Sequence, residues 1–386
     1  YINSNQRHIA LCFALFPVSC LCIPRTTSPR LYDALLVLLA VCDISMSGYT
    51  ALNKISYVSQ LEFGNYTIAL DKSVEKLKKY NPGFYRVAKT FMRTKDDPFQ
   101  ADFNSGDHFG STLEPPIPAF MGAIGQPDGD GFVTYTNGTQ VSDALLGYKY
   151  TMNARNTSAG QALPLSGFRP DWYSYPLVGS TSAVNLRENP HALPIAFGAN
   201  AAILHLQRTT MDPLNYQSQI FQTLASRPTL HSLFAVQNFN SVKFNNVQSA
   251  KQITGTIFRK QNLLKPASVQ LEFIPPTNDS YYLTLGPNVE DNATITMNNK
   301  KFTQYDTFRN TVVINVAHDQ KGQKVLVNLQ LKKATLWMQN VSIYQLKQRP
   351  FMASLKTLQE SPLKISSYRS NRIVGTVNLQ RNQRVL

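Results

Sequence analysis

Three short stretches carry residue types that chemistry could use. Asp128-Gly-Asp130 has the Asp-x-Asp form with which some sugar-nucleotide transferases hold a divalent metal. It lies within Gln126-Pro-Asp-Gly-Asp-Gly131, however, where Gly and Asp are what a tight turn selects, and a calcium loop would need further oxygen ligands at fixed spacing. The expectation is a turn, with no metal. Asp107-His108 sets an imidazole beside an acid, an acid–base pair if a cleft encloses it and a surface pair if none does. His108 and the nearby Ser111 are candidate substrate-binding residues. Trp172-Tyr173-Ser174-Tyr175 is the densest aromatic cluster, and Trp172, Tyr173 and Tyr175 are candidates to stack on sugar rings; the plainer reading makes them core and sheet aromatics. No P-loop, His-Glu-x-x-His, dinucleotide fingerprint or Gly-x-Ser-x-Gly elbow occurs, so no catalytic residue and no cofactor is assigned. Six Asn-x-Ser/Thr sequons, among them Asn65, Asn137 and Asn292, are what a chain rich in Asn, Ser and Thr contains by chance.

What must position these residues begins with two apolar runs. No residue from Ile9 to Ile23 is charged, and from Leu31 to Tyr49 only Asp33 and Asp43 are. A span needs about 20 residues, so the second run fits and the first does so if Gln6 to Pro24 is counted. A signal peptide has one such run and a cleavage site, unlike this pair; a buried helical hairpin is the other alternative. The loop between the runs holds Arg25 and Arg30 and no acid, and short basic loops stay in the cytoplasm. The expectation is a transmembrane helix hairpin over residues 1–52, with everything from about residue 53 outside the cytoplasm.

Cysteine and charge agree with that reading. Cys12, Cys20, Cys22 and Cys42 all lie in the apolar runs, and a long thiol-free exterior domain suits a bacterium that exports without disulfides. The net charge is +15; residues 1–54 hold four Lys or Arg against two Asp, which leaves +13 for the remainder. Such a field favours anionic partners, and this topology puts membrane lipid and an anionic cell-surface glycopolymer in reach, not nucleic acid. The plainer alternative is a basic surface that keeps the domain soluble.

The periodicity then gives an α+β fold. Asp71 to Tyr80 reads as an amphipathic helix with Leu70, Val74 and Leu77 on one face and its lysines elsewhere; a strand-like Phe84–Ala88 and a loop-rich stretch follow. Asp212 and Pro213 start a helix that carries Ile220, Phe221 and Leu224. The expected layout is an extracytoplasmic α+β domain over 53–240 and an antiparallel β-sandwich over 241–346, from alternations such as Val269-Leu271-Phe273 and Val325-Val327-Leu329-Leu331. Residues 347–386 then hold a helix from Pro350 to Glu360 and the start of a β segment at Ile373. That segment has no evident partner, and with a first residue other than Met it suggests a fragment cut at both ends.

Five stretches together resemble the YfhO family of bacterial polytopic membrane proteins: Phe84–Val87, His108–Glu114, Leu145–Tyr150, Asn189–Phe197 and Pro213–Leu224. The resemblance implies a bacterial cell-membrane glycosyltransferase of the GT-C kind. Such an enzyme takes a polyprenyl-phosphate-linked sugar as donor and decorates lipoteichoic acid or a related glycopolymer in Gram-positive bacteria. It also implies a catalytic carboxylate on an early exterior loop, upstream of Tyr1, which leaves this chain an accessory or acceptor-binding role. The His108 stretch departs from the serine-rich form of the family. The rival reading is a non-enzymatic, membrane-anchored binding or structural protein of the envelope.

Overall fold

The computed structural model describes residues 29–53, 55, 57–155, 163–165, 167–226, 232–287, 289–298, 300–302, 309–369 and 371–386. The chain divides into two compact units, Tyr1–Phe63 and Gly64–Leu386. In the first, the second apolar run forms a helix over Pro29–Leu52. Among the described residues no helix is long and apolar enough to cross a membrane. Asp33, Asp43 and the polar Ser45, Ser47 and Thr50 dilute the apolar stretch Ala34–Val41. The run from residue 9 to 23 lies outside the described residues, so the expected transmembrane hairpin is not found among them.

The helix Gln60–Tyr80 begins earlier than the expected residue 71 because a capping box starts it. Glu62 N donates to Ser59 Oγ at 3.1 Å, and Ser59 N donates back to Glu62 Oε2 at 3.3 Å. Its expected apolar face, Leu70, Val74 and Leu77, is buried, and Tyr66 from the added N-terminal turns is buried with it. That face packs with Val87, Phe91, Tyr150, Met152 and Leu186. These belong to or adjoin a four-stranded sheet in the order Arg86–Lys89, Tyr148–Ala154, Val184–Glu188, Leu177–Ser180, whose first pair is parallel and whose others are antiparallel.

From Phe234 to Leu346 the chain forms a sandwich-like pair of antiparallel sheets. One has five strands, Ser241–Asn245, Ser268–Phe273, Val325–Leu331, Ala293–Met297 and Lys300–Phe302. Its central strands alternate buried and partly exposed positions, as a half-covered sheet must. The other has four, Val312–Ala317, Tyr281–Leu285, Ser342–Leu346 and Phe234–Gln237. Here Tyr281–Leu285 and Val312–Ala317 are buried throughout. The reason is that this sheet has two covered faces. Leu283, Leu285, Ile314, Val316 and Ile343 fill the sandwich, while Tyr282, Val313, Tyr344 and Leu346 pack with Trp172, Phe221 and Phe351 on the other side. No compact-unit boundary therefore falls near residue 240.

Two helices complete that second core. Asp212 Oδ1 accepts from Asn215 N at 2.8 Å and caps Pro213–Leu224, and Gln348–Leu358 buries Phe351, Leu355 and Leu358. The C-terminal β segment does have a partner. Arg372–Thr376 pairs with Lys364–Arg369, and Gln383–Val385 pairs back with Gly198–Asn200.

Candidate functional site

The Arg86–Lys89 and Tyr148–Ala154 strands lie side by side and parallel, so the segments that enter them meet at one end of the sheet. Gly147 sits between helix and strand at φ +67°, and a Cβ there would stand 2.9 Å from the Leu193 carbonyl oxygen. That close approach lets Leu193 N donate to Ala144 O at 3.1 Å. Asn189 pins the same loop, its N donating to Lys149 O at 2.8 Å and its Nδ2 to Tyr148 O at 3.0 Å. The result is a cleft of about 380 Å³ whose walls include Phe84, Tyr85, Arg86, Gly147, Lys149 and Leu193.

The lining of the cleft combines aromatic and cationic side chains. Phe84 packs edge-on against Tyr368 of the C-terminal hairpin, ring centres 5.3 Å apart, and Tyr85 against Tyr150 at 4.8 Å. The Tyr85 hydroxyl is pushed up to about 12 by burial and by the neighbouring Tyr150 and Tyr368, so it is a neutral hydrogen-bonding group at ordinary pH. Arg86 Nη1 donates to Leu146 O at 2.7 Å, which fixes the guanidinium at the rim. Lys149 Nζ lies 2.8 Å from Glu188 Oε1, with both side chains partly exposed. Among the described residues, Arg86 and Lys149 are the cations of the lining, and no carboxylate lines it. A cavity of this size takes a sugar ring or two, and this lining suits one that carries an anionic group.

The expected site residues fall elsewhere. His108 begins the short strand His108–Phe109 and is half-exposed; its Nδ1 stands 3.4 Å from Asp96 Oδ1. Its acid partner is thus Asp96, not Asp107. Asp107 is buried, where its Oδ1 accepts from Tyr135 N at 2.6 Å and its Oδ2 lies 3.6 Å from Lys89 Nζ. Ser111 is exposed in the next turn. Asp128-Gly-Asp130 is a tight hairpin: Asp128–Gly129 pairs with Phe132–Val133. Asp130 pairs with Arg309, while burial raises the Asp128 carboxyl above its ordinary range even though Asn310 Nδ2 donates to it at 3.1 Å.

Trp172 cannot serve as an open platform, because it is 0% exposed. Its Nε1 donates to Asp143 Oδ2 at 2.9 Å. Tyr175 is buried as well, and of the three aromatic candidates Tyr173 alone is presented to solvent, with the Arg187 guanidinium 5.7 Å over its ring. What Trp172 joins is a buried charge network. Arg169 donates through Nε and Nη2 to both oxygens of Asp171, each at 2.9 Å, and through Nη1 to Asp143 Oδ1 at 3.1 Å. Tyr135 Oη donates to Asp143 at 2.6 Å, Tyr282 Oη donates to Asp171 at 3.2 Å, and Asn315 Oδ1 accepts from Asp171 N at 2.9 Å. Burial raises Asp143 above the ordinary carboxylate range although Arg169 opposes it. This network holds the fold together and does not line the cleft.

A family model described as bacterial membrane protein YfhO matches residues 1–386. The chain belongs to the YfhO family. It is therefore a member of a family of bacterial membrane proteins, and three of the stretches that carried the resemblance, Phe84–Val87, Leu145–Tyr150 and Asn189–Phe197, supply cleft walls. A search of curated protein sequences finds no match. Among solved structures, a family 35 carbohydrate binding module from Clostridium thermocellum is similar at 11% identity over 29% of this chain and 95% of that one, with a TM-score of 0.19. The enzymatically active domain of Bacteriophage CBA120 tailspike protein 4 is similar at 10% identity over 29% of this chain and 18% of that one, with a TM-score of 0.18. A Kluyveromyces marxianus beta-glucosidase is similar at 7% identity over 68% of this chain and 25% of that one, with a TM-score of 0.15.

The sequence pattern missed the cleft because its walls are far apart in the chain. The signal that could have found it was the recurrence of basic and aromatic residues, Phe84-Tyr85-Arg86 and Tyr148-Lys149-Tyr150, on two strands that turn out to be neighbours.

Proposed function

We propose that this chain is the acceptor-holding, extracytoplasmic part of a bacterial membrane glycosyltransferase that decorates lipoteichoic acid or a related anionic glycopolymer. The donor in this reading is a polyprenyl-phosphate-linked sugar, and transfer takes place at a membrane-embedded centre outside these residues. Residues from about 53 onward stand outside the cell, as the basic Arg25–Arg30 loop suggests. The observation that carries the reading is the cleft: in a chain of a bacterial membrane protein family, Arg86 and Lys149 share with Phe84 and Tyr85 the lining of a cavity that has no carboxylate among its described wall residues. The cations recognise the polymer's phosphate, and the partly exposed Phe84 ring covers a sugar face.

The test is a titration of the full chain with polyglycerol phosphate and with uncharged dextran, at 0.1 M and 1 M salt. Exposed charge attraction weakens as the Debye length falls from about 10 Å to about 3 Å between those two conditions. The reading expects binding of the polyanion that weakens with salt and drops severalfold in Arg86→Ala and Lys149→Ala. Equal binding of dextran at both salts would overturn it. In cells that lack the parent protein, complementation with the Arg86→Ala/Lys149→Ala parent should leave the glycopolymer under-decorated. Normal decoration there would remove the cleft from the acceptor path, and a parent whose loss leaves decoration untouched would be an envelope-binding protein.

A further inference from the structure

Away from the cleft, the sandwich presents apolar side chains to solvent in a way that folding alone does not call for. Leu264 is 95% exposed and Leu263 69%, at the tip of the loop that follows the Thr256–Arg259 strand. That tip is not slack. Asn246 holds it from below: its Nδ2 donates to Asn262 O at 2.8 Å, Lys265 O at 3.0 Å and Pro266 O at 3.2 Å, and its Oδ1 accepts from Asn262 N at 2.8 Å. Asn262 Oδ1 in turn accepts from Leu264 N at 2.9 Å. Contacts through both amide atoms of one side chain, the two Nδ2 hydrogens being shared among three carbonyls, fix a loop whose two apolar residues face outward, so the exposure is built in and its entropy already spent.

The adjoining ladder extends the patch. Thr256–Arg259 pairs with Thr335–Met338, with Ile257 opposite Trp337 and Phe258 opposite Leu336. Phe258 and Leu336 are buried, so alternation turns Ile257 and Trp337 outward, where both are more than half exposed. Around them the exposed cations Arg259, Lys265 and Lys333 are joined by Lys260, and no Asp or Glu occurs between Asn240 and Leu271 or between Gln320 and Gln359. An apolar tip, an exposed indole and a rim in which these four cations outnumber Glu290 and Asp291 of the adjoining Val289–Asn292 helix match a bilayer interface with anionic head groups, where Trp settles and Lys and Arg are attracted. A protein partner of equal fit would need an acidic rim around an apolar pocket.

We infer that this end of the sandwich docks on the surface of an anionic lipid bilayer, with Leu263 and Leu264 entering the acyl boundary and Trp337 at head-group depth. The inference stands apart from the acceptor reading of the cleft. Trp337 is also the reporter, because the chain's other tryptophan, Trp172, is buried. The full chain is reconstituted in vesicles of phosphatidylglycerol and phosphatidylcholine with brominated acyl chains, and Trp337→Phe supplies the background. The expected result is bromine quenching of Trp337 emission and protection from acrylamide, both weaker in pure phosphatidylcholine. Leu263→Glu/Leu264→Glu should cut the quenched fraction about tenfold, since both side chains lose their apolar transfer. These two positions are exposed enough for the variant to keep its fold, which circular dichroism checks. Trp337 that stays unquenched and open to acrylamide in the anionic vesicles overturns the inference. So does protection that rises with protein concentration in the absence of lipid, which would mark contact between copies, or protection given by glycopolymer alone.

Discussion

Replacing Arg169 by Met removes the cation that two buried carboxylates share. In the wild type Asp143 and Asp171 are at most 1% exposed, and Arg169 supplies donors to all four of their oxygens. After the change Asp143 keeps Tyr135 Oη and Trp172 Nε1, and Asp171 keeps Tyr282 Oη and no cation. Breaking a buried pair by removing one partner costs about 3–5 kcal/mol, against a total stability on the order of 5–15 kcal/mol. With a urea slope of about 3 kcal/mol/M for a chain of this size, the midpoint should fall by about 1–1.7 M. Tryptophan emission is the assay, because Trp172 sits on the network. The charge term can be separated from the cavity that Met leaves by varying pH. In the variant the folded-state pKa of Asp143, already raised by burial, rises further above its unfolded value once Arg169 no longer opposes it, so the folded state holds a proton that the unfolded state releases. Stability is then greatest at low pH and is lost as pH rises through that folded pKa, at about 1.4 kcal/mol per pH unit for the proton involved. Acidification from pH 8 to pH 5 should therefore narrow the gap between variant and wild type, whereas a cavity penalty would not change. A midpoint within 0.3 M of wild type, an on the order of 1 kcal/mol effect, or a gap independent of pH, would refute the account.

Gly147→Ala should lower the melting temperature through a loss of about 1–3 kcal/mol, because the residue combines a left-handed φ with a Cβ position 2.9 Å from the Leu193 carbonyl oxygen; an unchanged melt would mean that the loop shifts freely. His191 lies between the rings of Tyr175 and Phe351, centres 6.2 Å and 5.9 Å away, and burial lowers its pKa. The folded state thus binds its proton less readily than the unfolded state, and stability should fall as pH drops below about 6.5 toward the folded value. Comparing His191→Gln with wild type at pH 7.5 and 5.5 checks this, and the same acid loss in both would assign it to other groups.

The parts of the fold that were legible are those in which local chemistry and tertiary packing agree. Asp212 and Pro213 announce a helix start and occupy it, and Val269-Leu271-Phe273 alternates because one face of its sheet is covered. Legibility failed where a second layer intervened. The spacing of Tyr281, Leu283 and Leu285 fits one face of a strand, but Tyr282 and Thr284 are equally buried, since the reverse face of that sheet is the wall of another core. The aromatic cluster misled for a related reason. Arg169 and Asp171 stand just before Trp172 in sequence, yet the group that draws the indole inward is Asp143, nearly thirty residues earlier. A local pattern cannot announce a partner that only the fold delivers. The cleft was half-legible: three of its walls were already marked by resemblance, and their convergence needed the parallel pairing of Arg86–Lys89 with Tyr148–Ala154.

The shared sheet also decides what can be studied in isolation. Asp171 is held from one side by Arg169 and from the other by Tyr282 and Asn315, both on strands of the sandwich. Tyr282 Oη accepts from Gln140 N at 3.1 Å as well, so a single phenol joins the helix that precedes the cleft to the sandwich wall. Cutting the chain near residue 240 would leave Asp143, Arg169 and Asp171 at a raw surface and strip one face from Tyr281–Leu285 and Val312–Ala317. Strands that are apolar on both faces have no solvated side to present, and without their cover they pair with one another between chains. The segments on either side of residue 240 therefore act as one folding unit, and a measurement of cleft or bilayer binding requires both.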